Sequence, residues 1–452
     1  MRMIHGGPAD SGPLEWLREG QRPDLLRVER IPLDAMRDWS FDFGTGNLRH
    51  RSGRFFSVGG LSVVTNYGAP REWMQPIIDQ PEVGILGFLA AFSNGTLQFL
   101  VQRKVEPGNV NVSQLSPTVQ ATHSNYTRVH GGGTPPYLDH FINPSRSAVI
   151  VDQLQMEQGA RYRGKRNRHI IVRVDSDEVA VRPGYRWMRL DEIIGLAWTA
   201  NALNLDTRTV LSCLPVALTG PEAAGSAGLS GDEFPSRLVR SLRAHCDEAR
   251  LLAIDAWLER VQHRRRMTVR PIPLRSVSGW THDGTVIAHE SGRFFEVLGV
   301  SVDAPNREVP SWDQPLIRSR GRGVIGLLCQ EREGVLHFLA RAILEPGEPE
   351  VRIGPTLQCI PESHAVLPPF FDDIMHASDD QVRFRTIQSE EGGRFYHDER
   401  VLLVTEVPAG TALREPADYL WMTLRDIKEM IARYANVNIE MRSIVACLPL
   451  GV

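Results

Sequence analysis

Most of this sequence occurs in two similar copies, and no other feature constrains its fold as strongly. Ser-Gly-Arg-Phe-Phe at 52–56 returns at 291–295, and Glu-Pro-Gly at 106–108 returns at 345–347. Cys-Leu-Pro at 213–215 likewise returns at 447–449. Solenoid repeats run to about 50 residues, so a copy this long is a whole domain. The 452 residues therefore predict two similar modules, as expected where single hydrophobic cores stop growing.

The repeat sets the predicted boundaries of the modules. We predict a first module over 1–217, a linker over 218–232 and a second module over 233–452. The linker is rich in glycine, alanine and serine, which do not build a core. Apolar residues near helical spacing predict a helix over 234–265.

Within each module, strands precede a helix. Ser93-Asn94-Gly95 and Glu333-Gly334 each separate two β-branched and aromatic runs, which predicts a β-hairpin in each module. Thr423 with Asp426 is typical of the capped start of a helix, here over 423–434. Strands grouped before a helix favour the α+β class. Further strands are predicted over 54–65, 170–174 and 401–407.

Composition excludes several classes of protein. The chain carries 51 basic and 54 acidic residues, interspersed, so it offers no basic face for nucleic acid. It has no apolar run long enough for a signal peptide or a bilayer span, which predicts a soluble, cytoplasmic protein with no membrane contact. Its five scattered cysteines predict neither disulfides nor a zinc site.

Differences between the copies point to chemistry, because a packing residue should persist in both while a catalytic one need survive in only one. Lys104 is replaced by Ile343. The polar segment 122–132, which contains Tyr126 and His130, faces a shorter segment in the second copy. We therefore expect the reaction in the first module, and a vestigial or accessory site in the second.

Several other conspicuous residues have structural interpretations. The repeated Glu-Pro-Gly is better explained as a turn than as a functional site. Trp187 and Trp421 lie in an apolar pattern typical of a core. Trp39 and Trp280 fit equally a stacking platform and a packing role. The chain lacks the glycine-rich phosphate and dinucleotide motifs, the nucleophile elbow and any metal-ligand spacing. These absences argue against a redox-cofactor enzyme and against an ATP-dependent one.

Arg161 and Arg394 lie beside glycines in related settings, 158–162 and 391–395. An arginine kept in both copies can fork onto a diphosphate, and a salt bridge at a strand edge is the alternative. Histidines such as His123 and His130 are most often ordinary surface residues.

Four motifs found in order resemble the NDP-hexose 2,3-dehydratases. They are the tandem Ser-Gly-Arg-Phe-Phe, Lys-Val-Glu-Pro-Gly-Asn at 104–109, Ser-Pro-Thr-Val-Gln-Ala-Thr-His-Ser-Asn-Tyr-Thr at 116–127 and Glu-Gly-Gly-Arg-Phe-Tyr-His at 391–397. The resemblance implies two Nudix-like modules, usually in a dimer, acting on TDP-4-keto-6-deoxyglucose in deoxysugar and antibiotic biosynthesis. Neither copy contains a Nudix box, so metal-dependent pyrophosphate cleavage is not expected.

The resemblance also implies which residues contact the nucleotide sugar. In the first module they are Trp39, Thr122, His123, Ser124, Asn125, Tyr126 and Arg161. In the second they are Trp280, Arg341, Thr356, Leu357, Gln358, Arg394, Phe395, Tyr396 and His397.

The implied reaction removes water across C2 and C3 of a 4-ketohexose, and it requires no cofactor and no metal because the C4 carbonyl acidifies the C3 hydrogen. A base, a donor to O4 and an acid for the leaving hydroxide are required. We hypothesise that Tyr126 and Lys104 share the roles of proton-transfer group and oxyanion donor, in either order, with His130 a weaker acid-base candidate. A 3-ketoreductase is expected to consume the diketo product. The alternatives are a metal-dependent nucleotide-sugar hydrolase and a non-catalytic binding protein.

Overall fold

The computed structural model describes residues 12–67, 71–122, 134–219, 231–305, 309–433 and 436–450. The α-helices are α1 (Pro13–Glu19), α2 (Asp139–Ile142), α3 (Leu190–Leu196), α4 (Leu205–Ser212), α5 (Phe234–Leu242), α6 (Glu248–Arg264), α7 (Phe371–Met375), α8 (Leu424–Ala432) and α9 (Ile439–Val445). Short 3-10 turns lie at Pro23–Leu25, Leu33–Ala35, Arg146–Ala148, Ser176–Glu178, Val216–Leu218, Leu274–Ser276 and Pro361–Ser363.

Strands make up most of the regular structure. Those of the first repeat are β1 (Arg27–Ile31), β2 (Trp39–Phe41), β3 (Leu48–His50), β4 (Ser57–Thr65), β5 (Arg71–Asp79), β6 (Gly84–Ser93), β7 (Thr96–Val105), β8 (Ser113–Ser116), β9 (Val119–Ala121), β10 (Val149–Met156), β11 (Arg166–Arg173) and β12 (Tyr185–Arg189). Those of the second are β13 (Met267–Ile272), β14 (Trp280–His282), β15 (Val286–His289), β16 (Phe295–Asp303), β17 (Ser311–Ser319), β18 (Gly323–Arg332), β19 (Val335–Glu345), β20 (Glu348–Gly354), β21 (Leu357–Cys359), β22 (Val382–Ser389), β23 (Glu399–Val407) and β24 (Tyr419–Thr423).

The two repeats build the same large sheet. In the first, the order β10-β11-β6-β7-β12 carries β8 beside β7 and β9 beside β6. In the second, β22-β23-β18-β19-β24 carries β20 beside β19 and β21 beside β18. One pair in each sheet is parallel, β6 with β11 and β18 with β23. These mixed sheets with few helices agree with the expected α+β class.

The smaller sheets exchange a strand between the repeats. Strand β1 of the first repeat pairs antiparallel with β16 of the second, and β13 of the second pairs antiparallel with β4 of the first. Each five-stranded sheet is therefore completed by the other module. The predicted module boundaries at 217 and 233 are those of the repeat in the sequence, and they stay a prediction. In the folded protein each module contributes a strand to the small sheet of the other.

The helices and the apolar core also join the modules. Helix α4 packs on its counterpart α9, and one continuous cluster of buried apolar residues contains members from both repeats. Arg208 on α4 and Arg442 on α9 are fully buried and donate to backbone carbonyls of the opposite module, Ser389 and Met156. Burying two guanidinium groups is unfavourable without such acceptors, so these contacts stabilise the interface.

Local sequence signals were accurate at turns and caps. Both predicted hairpins are present, and the central residues Asn94, Gly95, Glu333 and Gly334 all have positive φ, as a two-residue type I′ turn requires. Thr423 caps α8 through Asp426 as predicted. The predicted helix over 234–265 is wrong in one respect, because it breaks after Leu242 and restarts where Asp247 caps α6.

Two other expectations need adjustment. The strand predicted from Arg54 begins only at Ser57. Trp187 and Trp421 pack against the core but are only partly buried, so their assignment as core residues is half right. Most of the predicted linker, 220–230, lies outside the described residues. Among the helices of the described ranges, none has the length and apolar composition needed to span a bilayer.

Candidate active site

The repeated Glu-Pro-Gly turns are where the modules meet. A Cβ at Gly108 would lie 1.6 Å from the carbonyl oxygen of Phe395, and one at Gly347 would lie 1.7 Å from that of Tyr162. Only glycine permits such an approach of two backbones. Gly108 donates its amide to Gly392, at 2.8 Å. The predicted turn is thus also a contact between modules.

We call the first of these contacts the first crossing. It comprises Lys104, Glu106 and Gln120 of the first module, Glu391 of the second, and the ring of Tyr162. The second crossing comprises the counterparts Ile343, Glu345, Gln358, Gln158 and Phe395. The two phenyl rings, of Tyr162 and Phe395, lie edge to face at 6.1 Å between the crossings.

Each crossing holds its first glutamate in the same way. Gln120 donates to Glu106 at 3.0 Å, and Asn204, which caps α4, donates to Gln120 at 3.2 Å. In the second module the same chain of contacts runs from Asn438 through Gln358 to Glu345. Because this arrangement occurs twice, it belongs to the shared framework.

Three side chains distinguish the crossings. Lys104 Nζ lies 3.3 Å from Glu106 Oε1, whereas its counterpart Ile343 is a buried apolar side chain. The Tyr162 hydroxyl donates to Glu391 Oε2 at 3.0 Å. The counterparts of these two residues, Phe395 and Gln158, cannot form that contact with a carboxylate. Lys104, Tyr162 and Glu391 are therefore ionisable, whereas their counterparts Ile343, Phe395 and Gln158 are not.

Electrostatics at both crossings is governed by burial. Burial raises the pKa of Glu391 to about 7 against the opposing effect of Arg394, and neighbouring Glu106 raises it further. Burial likewise raises the pKa of Glu345 to about 7. On α4, Asp206 is buried, and burial together with Glu391 holds its pKa well above the usual range. A carboxyl that titrates near neutrality suits proton transfer.

The first crossing is not sealed from solvent. The Lys104 side chain is 18% exposed, and Gln120, Thr122 and Glu391 are also partly exposed. The chain leaves β9 at Thr122 directly into 123–133, which lies outside the described residues. The predicted site residues His123, Ser124, Asn125, Tyr126 and His130 all fall in that segment.

The structure gives the two predicted tryptophans a packing environment. The indole N–H of Trp39 donates to the carbonyl of Asp313 at 2.8 Å, and that of Trp280 donates to Met74 at 2.9 Å. Trp39 is only 6% exposed. Each bond crosses to the other module, so the geometry favours the packing role over the stacking platform.

The two predicted arginines also cross between modules. The Arg161 guanidinium lies 4.2 Å from the centre of the Phe295 ring, and that of Arg394 lies 4.2 Å from the Phe56 ring. Burial lowers the pKa of Arg161 to about 10. Arg161 adjoins the second crossing and Arg394 the first, which places one cation beside each.

The remaining predicted residues are scattered. Thr356 and Leu357 are fully buried, and the Thr356 hydroxyl bonds the backbone of Leu328 and Leu339 as Thr118 does with Leu89 and Leu100 in the first module. That repeated contact is a core feature. Arg341 lies between the rings of Tyr67 and Tyr419, and Tyr396 stacks on exposed His397.

Sequence reasoning missed Tyr162 and Glu391. Both lie in the compared segments, 158–162 and 391–395, where attention fell on the shared arginine. The comparison of copies that selected Lys104 would also have selected them. Tyr162 aligns with Phe395 of the other copy, and Glu391 aligns with Gln158. Glu106 was assigned only to a turn.

One groove lies apart from the crossings. A groove of about 240 Å³ is lined by His245, Arg250, Arg332 and Trp421, at the far end of β19 from Glu345. Within the described ranges, no group of three or more His, Cys, Asp or Glu residues is placed to hold a metal ion.

A comparison with solved structures offers a weak likeness. A structure described as an ADP compounds hydrolase aligns with 34% of this chain and 85% of its own at 14% identity and a TM-score of 0.21. An overlap of that size supports no argument about fold or activity.

Comparisons of sequence are far stronger. The chain is 44% identical to the dTDP-4-dehydro-6-deoxy-alpha-D-glucopyranose 2,3-dehydratase of Saccharopolyspora spinosa, over 96% of this chain and 90% of that protein. Enzymes of the same name from Amycolatopsis orientalis and Streptomyces violaceoruber are each 40% identical over 96% of this chain, and the match covers 88% and 95% of those proteins. The family model for NDP-hexose 2,3-dehydratase matches twice, at 11–214 and 252–448. The chain therefore belongs to the NDP-hexose 2,3-dehydratase family.

Proposed function

We propose that this protein removes water across C2 and C3 of TDP-4-keto-6-deoxy-D-glucose, giving a 3,4-diketo-2,6-dideoxyhexose in deoxysugar and antibiotic biosynthesis. The family and the names of the relatives support this substrate. The structural observation that carries the proposal is the first crossing. There Lys104, Tyr162 and Glu391 gather ionisable groups that the otherwise similar second crossing lacks.

The chemistry of the substrate sets what such a site must supply. The C4 carbonyl acidifies the hydrogen on C3, so a base can remove it as charge develops on O4. A donor fixed near O4 stabilises that charge, and an acid protonates the hydroxide that leaves C2. The enol that remains at C3 then tautomerises to the diketone. Nothing is oxidised or reduced overall.

Lys104 suits the donor role. Its ammonium is fixed by Glu106 and by the backbone carbonyl of Gln120, and it remains partly exposed. A cation held in advance stabilises developing negative charge without reorganising during the reaction. In this proposal Tyr126 or His130 carries the second proton transfer, and both belong to the segment that begins directly after Thr122.

The proposal has a wider part that rests on the family resemblance. Each module is Nudix-like without a Nudix box, and two chains form a cytoplasmic dimer. The second crossing, with Arg161 and Gln358, is an accessory nucleotide-sugar site. A 3-ketoreductase consumes the reactive diketone.

The test is turnover of TDP-4-keto-6-deoxyglucose in heavy water, with the product trapped by an ortho-diamine and analysed by mass spectrometry. Dehydration predicts loss of one water, deuterium at C2 and activity that survives a chelator. Release of a nucleoside monophosphate that the chelator abolishes would instead indicate hydrolysis. Tight TDP binding with unchanged sugar would indicate a binding protein.

A further inference from the structure

Glu391 belongs to the second module, yet its carboxylate lies at the first crossing. Its Oε2 accepts from the Tyr162 hydroxyl of the first module at 3.0 Å. Among the described residues, Oε1 accepts no hydrogen bond, and the residue is partly exposed. One oxygen is thus held in place while the other remains available.

The other carboxylate at the first crossing is already occupied. Glu106 Oε1 lies 3.3 Å from Lys104 Nζ and accepts from Gln120 at 3.0 Å. A Cβ at Gly393 would lie 2.6 Å from Glu391 Oε1 and 3.4 Å from Glu106 Oε1, so these oxygens are at most their sum, 6.0 Å, apart. Glu106 therefore serves as the counter-charge of Lys104, and Glu391 faces the same small space without a cation bonded to it.

Nothing in the fold requires a carboxylate or a phenol at these positions. The second crossing has Gln158 and Phe395 in their places on the same backbone, and Gln158 simply donates to Glu390. Even a partly buried carboxylate carries a desolvation cost that an amide avoids. Its presence on one side only calls for a chemical reason.

We propose that Glu391 is the base that removes the C3 proton, and that Tyr162 is a positioning residue that orients its carboxylate. The inference rests on the proposed function and deepens it, because it makes the active site a joint product of both modules. The C3–H electron pair moves into the C3–C4 bond as O4 becomes an oxyanion held by Lys104. When the C4 carbonyl re-forms, the electron pair of the C3–C4 double bond forms a C2–C3 double bond and the C2–O bond breaks. The departing hydroxide takes a proton from the acid. Glu391 releases the proton it received to solvent.

The decisive variant is Glu391→Gln, which installs the residue that the second crossing already tolerates. We expect kcat to fall by about 10²- to 10⁴-fold, the usual contribution of a general base, with TDP affinity and thermal unfolding close to those of the unmodified protein. Glu391→Asp should retain the pH dependence of kcat/KM while losing at least about tenfold in kcat, because the shorter side chain misplaces the carboxylate. If Glu391→Gln does not fold, Glu391→Asp decides the question.

Tyr162→Phe separates positioning from structure. In the unmodified protein kcat/KM should rise with pH and level off above about 7, the pKa that burial gives Glu391. Removing a hydrogen bond that stabilises the carboxylate raises that pKa further, so the rise should move to higher pH while kcat falls about tenfold. A purely structural tyrosine would leave the pH profile in place.

The matched control is Glu259→Gln on the exposed face of α6, outside both crossings, which should leave kcat unchanged. Unchanged kcat in Glu391→Gln or in Glu391→Asp, beside an active unmodified protein, would overturn the assignment of the base. An unmodified protein that does not dehydrate the sugar would instead overturn the proposed function. The two failures are therefore distinguishable.

Discussion

At the first crossing, Lys104, Tyr162 and Glu391 stand where the second crossing has Ile343, Phe395 and Gln158. Around them the scaffold is the same, from the glycine contacts to the Asn-Gln-Glu chain of hydrogen bonds. Two sites with one backbone and different ionisable groups separate what the fold needs from what the chemistry needs. Shared residues hold the modules together, and in the proposed mechanism the unshared residues mark the reacting side.

Separating the modules should break both crossings at once and have the largest effect. Fragments 1–219 and 231–452 each lack the strand that completes their small sheet, so neither should show a cooperative thermal transition alone. Co-expressed, they should associate and recover dehydration. Circular dichroism and activity measure this, and a first fragment that unfolds cooperatively by itself would contradict the interlocked architecture.

Lys104→Met tests the first crossing directly. Removing the ammonium from the site of developing charge should lower kcat by about 10²- to 10³-fold. Ile343→Met is the matched control, and as a swap of similar volume it should leave kcat unchanged. Tyr126→Phe, measured alongside, tests the second proton transfer. Unchanged turnover in both Lys104→Met and Tyr126→Phe would remove this assignment.

Glu345→Gln sharpens the comparison through stability. Because burial raises the pKa of folded Glu345 to about 7, above the value of an unfolded glutamate, the native state binds the proton more tightly. Native stability should therefore decline as pH rises from about 4.5 to 7, by at most about 3 kcal/mol. The variant should lack that contribution. Denaturant unfolding at pH 5 and pH 8 measures it, and identical pH dependence in both proteins would refute a raised pKa.

The smallest expected effects are those of Trp39→Phe and Trp280→Phe. Each variant loses one indole hydrogen bond to the opposite module, so each should lower the free energy of unfolding by about 1 kcal/mol. Both should keep their kcat and TDP affinity. If Trp39→Phe weakens TDP binding many-fold at unchanged stability, the stacking interpretation is right after all.

Local signals in the sequence predicted the hairpins and the capped helix α8, since a two-residue turn or a Thr-x-x-Asp cap depends only on neighbouring residues. The break between α5 and α6 escaped because helical spacing resumes after it. The strand exchange had no local signal. A strand such as β1 has the same sequence pattern whichever module's sheet it completes.

The site was predictable in part for a related reason. Lys104 could be found by aligning the copies, because its difference from Ile343 is visible in the chain. Tyr162 and Glu391 showed the same kind of difference, but they touch across 229 positions and across the module boundary. Pairing them required knowing that each module reaches into the other. Trp39, Trp280 and Thr356 also make contacts in the core or between the modules, and their roles in binding the nucleotide sugar stay predictions.

The exchanged strands also dictate an order of events during synthesis. Strand β4 ends at Thr65, but its partner β13 is translated only at 267–272, about 200 residues later. At a synthesis rate of about 5–20 residues per second, that edge waits at least about ten seconds for its partner. An unpaired strand edge is a template for aggregation. Until β13 is synthesised, this edge can pair with other nascent chains, so we expect overproduction to yield insoluble material.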